Sequence, residues 1–224
     1  MYHKLGPRPR GVRLKGLYVS GSLFDRQLRE LRSAGFTSVS PANLTAHRDN
    51  TAKNVCLTFD DGFANVLEFG LATLARHGFR AIEYLVADRI GGVNDWEQRE
   101  GEVAETLMDA AQVKDWMAAG HEIGAHTLTH PRLSQVSVEQ AREEVFASKK
   151  KLEDLFSVPI RHFCYPYGDW NPAVRDLVQA AGYETATTTA LGVNTSATPR
   201  FELKRFMARY QSISFKAIKE RLRG

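Results

Sequence analysis

Two adjacent acids stand at the end of an apolar run, where they could bind a cation. The run is CLTFDDGF, residues 56–63, and it contains Asp60 and Asp61 followed by Gly62. Side chains alternate between the two faces of a strand, so neighbouring carboxylates share a site only where the strand ends and the backbone turns. Glycine allows such a turn at little steric cost. Because two close acids are unfavourable without a cation, this stretch predicts a cation site at a strand end.

A pair of histidines in HEIGAHTLTHPRL, residues 121–133, is the second candidate. His126 and His130 are four residues apart, and Pro131 disfavours a helical backbone at His130. A turn after a strand is therefore the favoured geometry, although a helix would also bring the two rings together. One Asp with two His is a suitable ligand set for a catalytic divalent metal with an open position. The other Asp would then act as general base on the attacking water.

Each motif taken alone also has an ordinary interpretation. A single His-x3-His pair is more often a chance arrangement on a surface, and a single Asp-Asp-Gly is more often a turn or a helix cap. Both motifs follow predicted strands of one alternating fold. That shared position favours a metal site.

A third cluster, FCYPYGDWN, covers residues 163–171 and also follows a predicted strand. Pro166 and Gly168 predict a tight turn around Tyr167. This is either an ordinary turn with an aromatic anchor or a turn that directs a backbone N–H at a developing oxyanion. In the second case Tyr167 and Trp170 would offer flat walls to a sugar.

The elements that must position these residues alternate along the chain. Apolar runs predict strands at 16–20, 54–59, 81–86, 121–125, 161–165, 184–189 and 202–207. Amphipathic segments with capping residues predict helices at 22–34, 65–77, 109–119, 137–156, 172–181 and 213–222. This alternation implies an α/β fold with a parallel sheet, either an open doubly wound sheet or a barrel. In both, the site lies at the carboxyl ends of the strands.

Composition fits one soluble domain over residues 1–224. The chain is 43% hydrophobic and 25% charged, with a formal net charge of +4. The basic residues are dispersed, which is typical of solvated helix faces and predicts no nucleic-acid partner. Cys56 and Cys164 lie in apolar runs and are expected to be free thiols.

Two further expectations concern location. No stretch approaches the ~18 consecutive apolar residues of a membrane span. Residues 1–16 lack the apolar core of a signal peptide, so a cytoplasmic location is expected unless a leader has been removed. The oligomeric state is left open.

Taken in order, LTFDDGF, HTLTH and YPYG resemble the first three motifs of the polysaccharide deacetylase family (NodB homology, carbohydrate esterase family 4). The flanking stretches at 18–40 and 93–97 are also similar to family members. The resemblance implies a NodB-like, distorted (β/α)7-type barrel. It further implies metal-dependent hydrolysis of an N-acetyl or similar acyl group on an amino sugar of a glycan.

The resemblance also implies a role for each matching residue. Asp60 would be the base, and Tyr167 would donate its backbone N–H to the oxyanion. Asp61, His126 and His130 would hold a divalent metal, zinc first, with cobalt, nickel and manganese as alternatives.

Two positions depart from the family pattern. The third motif usually carries an arginine that orients the base, and here that place is Cys164. The last motif usually supplies a C-terminal histidine as general acid, and no histidine follows His162. The N-terminal MYHKL is similar to a strand of a circularly permuted branch in which the acid comes first, which implies His3 as the acid. A loose chain terminus is the alternative.

For the missing arginine the candidate is Arg205, within ELKRFM. If that segment is a barrel strand, Arg205 could point inward and pair with Asp60, and a surface position is the open alternative. His121 and His162 are expected to support the structure or the site from outside. Thr127 is expected to orient a metal ligand.

Three functional hypotheses follow. The leading one is a metal-dependent deacetylase acting on an N-acetylated carbohydrate, and the second keeps the chemistry but acts on a non-sugar amide. The third is a carbohydrate-binding protein that has lost catalysis, motivated by Cys164. The aromatic rings of Trp96, Tyr167 and Trp170 lean toward a sugar, while the intact acids and histidines argue against loss of catalysis.

Overall fold

The computed structural model describes residues 1–44, 53–98 and 101–208. In these ranges strands and helices alternate, as the sequence predicts. The strands are β1 Lys4–Leu5, β2 Tyr18–Val19, β3 Thr37–Ser38, β4 Asn54–Val55, β5 Leu57–Asp61, β6 Ala81–Leu85, β7 Glu122–Ala125, β8 His162–Cys164 and β9 Thr185–Thr187. The helices are α1 Gly21–Ser33, α2 Ala64–His77, α3 Asp95–Gln98, α4 Ala110–Ala118, α5 Val138–Phe156 and α6 Pro172–Ala180. The helix predicted at 213–222 lies outside the described residues.

Four of the described helices begin at capping side chains. Ser20, Asp109, Ser137 and Asn171 precede α1, α4, α5 and α6, and each accepts a hydrogen bond from a backbone N–H of the first turn. Such caps satisfy N–H groups that have no partner inside the helix. Gly78 ends α2 in the left-handed conformation, with φ 71°. These signals explain why the predicted helix boundaries are close to the observed ones.

The main sheet is parallel and has the strand order β5-β6-β7-β8-β9. Neighbours in the sheet are therefore also neighbours along the chain. A doubly wound sheet needs a point at which the strand order reverses, and these five strands have none. Of the two architectures that the alternation allows, the curled, barrel-like sheet is the one observed.

Backbone hydrogen bonds extend this sheet at both edges. On one edge Tyr2 N donates to Thr58 O at 2.8 Å, and on the other Leu203 N donates to Ala186 O at 2.9 Å. Ala208 N then donates to Met1 O at 3.0 Å and joins the two flanking segments. Segments from both ends of the described chain are thereby brought close to the carboxyl end of β5.

Two predicted strands differ from the structure. The run 54–59 divides at Cys56, because β4 pairs with β3 in a separate two-stranded sheet while β5 enters the main sheet. The segment 202–207 forms only a bridge, between Leu203 and Thr187. The Asn194 side chain accepts from Lys204 N and donates to Lys204 O, both at 2.8 Å. The Asn194 amide thus satisfies the backbone groups of Lys204 that a neighbouring strand would otherwise bind.

Phe59 on β5 lies at the centre of a buried cluster of aromatic rings in stacked and edge-to-face contact. Phe59 packs against Tyr2, Phe24 and Trp116, with ring centroids 5.1 to 5.9 Å apart and all four residues buried. Burying a large apolar side chain contributes roughly 2–3 kcal/mol, so this cluster holds the strand that carries Asp60. Among the described residues, no helix combines the length and the apolarity that crossing a membrane requires.

Candidate active site

The candidate site lies at the carboxyl ends of β5, β7 and β8, three strands of the main sheet. Asp60 and Asp61 end β5, His126 follows β7, and Cys164 ends β8. The carboxyl ends of parallel strands lie at one edge of the sheet, so these side chains meet there. All four are buried. The predicted convergence of the acid motif and the histidine motif is observed.

Asp61, His126 and His130 form one compact group. The Nε2 atoms of His126 and His130 each lie 3.3 Å from Asp61 Oδ1. Their ligand atoms all lie within 4.8 Å of one another. The two histidines are joined by a turn rather than a helix, as Pro131 predicts, and His130 has φ 67°.

Backbone turns explain how two adjacent acids serve one site. Asp61 and Gly62 have φ 83° and 87°, so the chain turns sharply at the end of β5. Asp61 then faces the two histidines. The carboxylate of Asp60 lies within 4.8 Å of a ligand atom of His126 and of the Cys164 sulfur. The CLTFDDGF stretch therefore places Asp61 against the two histidines and Asp60 directly beside that group.

Strained backbone is concentrated here. Of the five non-glycine residues with positive φ in the described chain, four lie at the site: Asp61, Thr127, His130 and Tyr167. Such conformations cost about 1–3 kcal/mol each, and they persist where surrounding structure enforces them. Strain concentrated in these turns is typical of functional sites, where a particular backbone geometry is needed.

Hydrogen bonds orient the histidines. His126 Nδ1 donates to the Cys164 carbonyl at 2.7 Å, which leaves Nε2 facing Asp61. The backbone N–H of His130 donates to Thr127 Oγ1 at 2.9 Å, in line with the predicted role of Thr127. Metal-ligating histidines are commonly fixed by such bonds at their other ring nitrogen.

The donor set fits a divalent metal ion. Burial alone would raise the pKa of Asp61, but hydrogen bonds from His126 and His130 lower it well below its usual value. Burial lowers the pKa of His130, which favours the neutral imidazole. Burial alone would lower the pKa of His126 too, but Cys164 and Asp61 raise it well above its usual value, so metal binding there must release a proton. An ionised carboxylate and an imidazole with a free lone pair are the forms that bind metal. One carboxylate and two imidazoles leave room for further ligands, as catalytic sites require.

Arg205 lies beside Asp60, which is one of the two positions that the sequence left open for it. Its Nη1 and Nη2 donate to the two Asp60 carboxylate oxygens at 2.7 and 2.8 Å. Nη2 is also 3.2 Å from the Cys164 sulfur. Although Arg205 does not lie on a strand, its Nε donates to Thr188 O at 2.8 Å and fixes the guanidinium. Burial alone would raise the pKa of Asp60, and Arg205 holds it below its ordinary value.

His3 also lies at the site. Its Nε2 is 3.8 Å from Asp60 Oδ2, and 16% of its side chain is exposed. The segment before β1 is thus bound against β5 rather than loose. Burial lowers the pKa of His3, while the nearby carboxylates of Asp61 and Asp60 oppose that shift.

Tyr167 forms part of the rim. Its ring is in edge contact with His130, centroids 4.6 Å apart, and the Arg132 guanidinium lies 4.0 Å from the ring centre. Tyr167 is 37% exposed and has φ 59°, as the predicted tight turn requires. The role of its backbone N–H stays a prediction.

The other two aromatic candidates are less open. Trp96 is 7% exposed, and its ring stacks on His130 with centroids 4.6 Å apart. Trp170 is half-buried and stacks on Tyr165. Of the three rings that sequence reasoning offered as faces for a sugar, Tyr167 is the most accessible.

Two buried acids, which the sequence did not single out as candidates, hold the turns of the site. The Glu144 carboxylate on α5 accepts the N–H groups of Leu128 and Thr129 at 2.8 and 2.9 Å, and so fixes the turn between the histidines. Glu83 on β6 accepts the N–H of Gly62 at 2.9 Å. Glu83 could have been predicted as a buried acid, because it interrupts the apolar run AIEYL. Glu144 could not have been predicted, because α5 carries many charged residues and nothing distinguishes this one.

The remaining polar candidates have structural roles. His121 Nδ1 accepts the Ala81 N–H at 3.2 Å, and the His162 ring contacts Thr185 Oγ1 at 2.9 Å. Cys56 and Cys164 are both free thiols, as predicted, although Cys56 is only half-buried.

Comparison with known proteins places this site in context. The peptidoglycan-N-acetylglucosamine deacetylase PgdA of Listeria monocytogenes serotype 1/2a (strain 10403S) is 25% identical over 174 residues, covering 76% of this chain and 31% of that protein. YxkH of Bacillus subtilis (strain 168), which bears the name of a polysaccharide deacetylase, is 24% identical over 196 residues, covering 86% of this chain and 64% of that protein. The chain thus spans less than two thirds of the length of either relative.

A solved structure has a similar fold. The Streptococcus pyogenes deacetylase PplD in complex with acetate matches with a TM-score of 0.80 at 22% identity, covering 98% of this chain and 94% of that chain. At this identity the likeness concerns the fold. Membership of a circularly permuted branch stays a prediction. Residues 47–186, more than half of the chain, match the family described as polysaccharide deacetylase, and the chain belongs to that family.

Proposed function

We propose that this chain hydrolyses the N-acetyl, or a similar acyl, group of an amino sugar within a glycan. One observation carries the proposal: a buried carboxylate, Asp60, is held by Arg205 directly beside a compact Asp-His-His group. A protein that only binds carbohydrate would need no fixed base next to such a group. Family membership and the name of the relative PgdA support an N-acetylated sugar polymer as the substrate class.

In this proposal Asp61, His126 and His130 hold a divalent metal ion. Two imidazoles and one carboxylate suit zinc best, with cobalt, nickel and manganese as alternatives. The bound ion would polarise the acyl carbonyl and lower the pKa of water. The chain supplies this ligand set from two turns: the turn after β5, held by Glu83, and the turn after β7, held by Thr127 and Glu144.

Asp60 acts as the general base. Arg205 keeps its carboxylate ionised, so Asp60 can accept one proton as water adds to the acyl carbon. The Tyr167 N–H donates to the oxyanion that forms on the carbonyl oxygen. The paired guanidinium also prevents the Asp60 carboxylate from rotating away from the attacking water.

His3 carries the proton to the leaving amine. Burial lowers the pKa of His3, which favours the neutral imidazole, so in this proposal His3 takes up a proton during the reaction. Asp60, 3.8 Å away, provides the proton that it took from water. His3 then protonates the nitrogen as the C–N bond breaks, and the products are the free amine and acetate.

The proposed function is tested by measuring acetate released from N-acetylglucosamine oligomers and from peptidoglycan fragments. We expect release by protein loaded with zinc or cobalt, loss of at least about 10²-fold after chelation, and recovery when the metal is restored. An N-acetylated peptide serves as the non-sugar substrate. Release from the peptide with none from any glycan would contradict the proposed substrate class.

A further inference from the structure

A fully buried ion pair joins β1 to the segment beside the candidate site. Lys4 is 0% exposed, and its Nζ lies 2.7 Å from Glu97 Oε2. The ammonium also lies 4.4 Å from the centre of the Phe63 ring. A buried ion pair is rarely more stable than apolar residues of the same volume, because both charges lose their hydration. Stability alone therefore does not explain why a charged pair lies here.

Glu97 in turn fixes the loop around it. Asn94, which is fully buried, donates its Nδ2 to Glu97 Oε2 at 2.6 Å. The Asn94 Oδ1 accepts the backbone N–H of Glu105 at 2.6 Å. One cation from β1 thus holds a connected network that runs from Glu97 through Asn94 to the backbone of Glu105.

This network determines where Trp96 lies, because Trp96 precedes Glu97 in α3. Trp96 stacks on the His130 ring with centroids 4.6 Å apart and an interplanar angle of 22°. His130 Nδ1 is buried and has no hydrogen-bond partner in the described part of the chain. A ligating histidine is normally oriented by a bond at that nitrogen. In its absence, the Asp61 carboxylate holds the ring at Nε2, and Trp96 on its face and Tyr167 at its edge fix its plane.

Lys4 is also adjacent in sequence to His3, which lies beside Asp60. It directly follows His3, and successive side chains of an extended segment point in opposite directions. His3 accordingly lies at Asp60, while Lys4 reaches Glu97. The ion pair therefore couples the position of His3 to the position of Trp96 and, through it, of His130.

We propose that Lys4 and Glu97 are positioning residues that hold Trp96 against His130 and His3 beside Asp60. This inference rests on the proposed function, since it treats His130 as a metal ligand. The pair contacts neither the acids nor the histidines of the group. It acts through Trp96 and through the backbone of β1.

The test is the double variant Lys4→Met/Glu97→Leu, which removes both charges and keeps an apolar contact. Its melting temperature is expected to fall by only a few degrees, because Asn94 Nδ2 loses its acceptor on Glu97 but keeps the Val103 carbonyl at 3.3 Å. Cobalt affinity is expected to fall about tenfold, with a changed cobalt absorption spectrum, because the His130 ring is no longer held. kcat should fall about tenfold, with KM within about twofold of wild type. Trp96→Leu, which leaves the ion pair intact, should reproduce the cobalt changes.

The matched control is Lys150→Met, which removes an exposed lysine paired with Asp154 on α5 and should change none of these quantities. A double variant with wild-type cobalt affinity, spectrum and kcat would overturn the inference. If the double variant does not fold, wild-type cobalt binding by Trp96→Leu would overturn it equally. The cobalt readouts separate the two proposals: wild-type protein that binds cobalt but releases no acetate would remove only the proposed function.

Discussion

Replacement of Asp60 by asparagine is expected to lower kcat by about 10³-fold while metal binding stays near that of the wild type. Asparagine keeps the size of the side chain but cannot accept a proton from water. The proposed ligand atoms are those of Asp61, His126 and His130, so the metal should still bind. Acetate release and zinc affinity, measured on the same preparation, give both quantities.

The control for this variant is Asp88→Asn, which removes an exposed carboxylate paired with Lys151 outside the site. It should leave kcat unchanged. Turnover near the wild-type rate in Asp60→Asn would show that another group takes the proton, and the assignment of the base would be wrong.

Arg205→Ala is expected to damage both activity and stability. The Asp60 carboxylate would remain buried without its cation, which typically destabilises a protein by about 3–5 kcal/mol. Since burial alone raises the pKa of Asp60, removal of Arg205 should raise that pKa. The base is then protonated over a wider acidic range. We expect the acidic limb of kcat/KM to move to higher pH, with kcat about 10²-fold lower at neutral pH.

A second substitution separates a positioning role from simple loss of stability. The Cys164 sulfur lies 3.6 Å from Asp60 Oδ2, so an arginine at this place on β8 can reach the same carboxylate. Cys164→Arg/Arg205→Ala should therefore recover at least about tenfold in kcat over Arg205→Ala and return the acidic limb toward its original pH. A double variant no better than the single one would show that Arg205 does more than hold Asp60.

Local signals were sufficient to predict most of the secondary structure. Capping residues such as Ser137 and Asn171 marked helix starts, and short apolar runs marked strands. The ligand group was also predictable, because Asp61 and His126 each follow a strand and parallel strands share one carboxyl edge. The resemblance called for an arginine to replace the one missing at Cys164, which made Arg205 a candidate, but the sequence left a surface position open for it.

Contacts between distant parts of the chain could not be predicted. Nothing near Lys4 indicates that its partner is Glu97, and the pairing of β3 with β4, which divides the run 54–59, leaves no mark on that run. The burial of Trp96 against His130 is of the same kind. Each depends on how segments far apart in sequence pack together, which neither periodicity nor capping encodes.

Asp61, His126 and His130 are proposed to bind one divalent metal ion, and the metal content of the chain is the decisive measurement. We expect about one zinc or cobalt ion per wild-type chain after loading, and a sharp loss in His130→Ala, because a group of three ligands loses one. His77→Ala, a histidine paired with Asp25 away from the site, should bind as the wild type does. Wild-type chain that takes up none of zinc, cobalt, nickel or manganese would contradict the account.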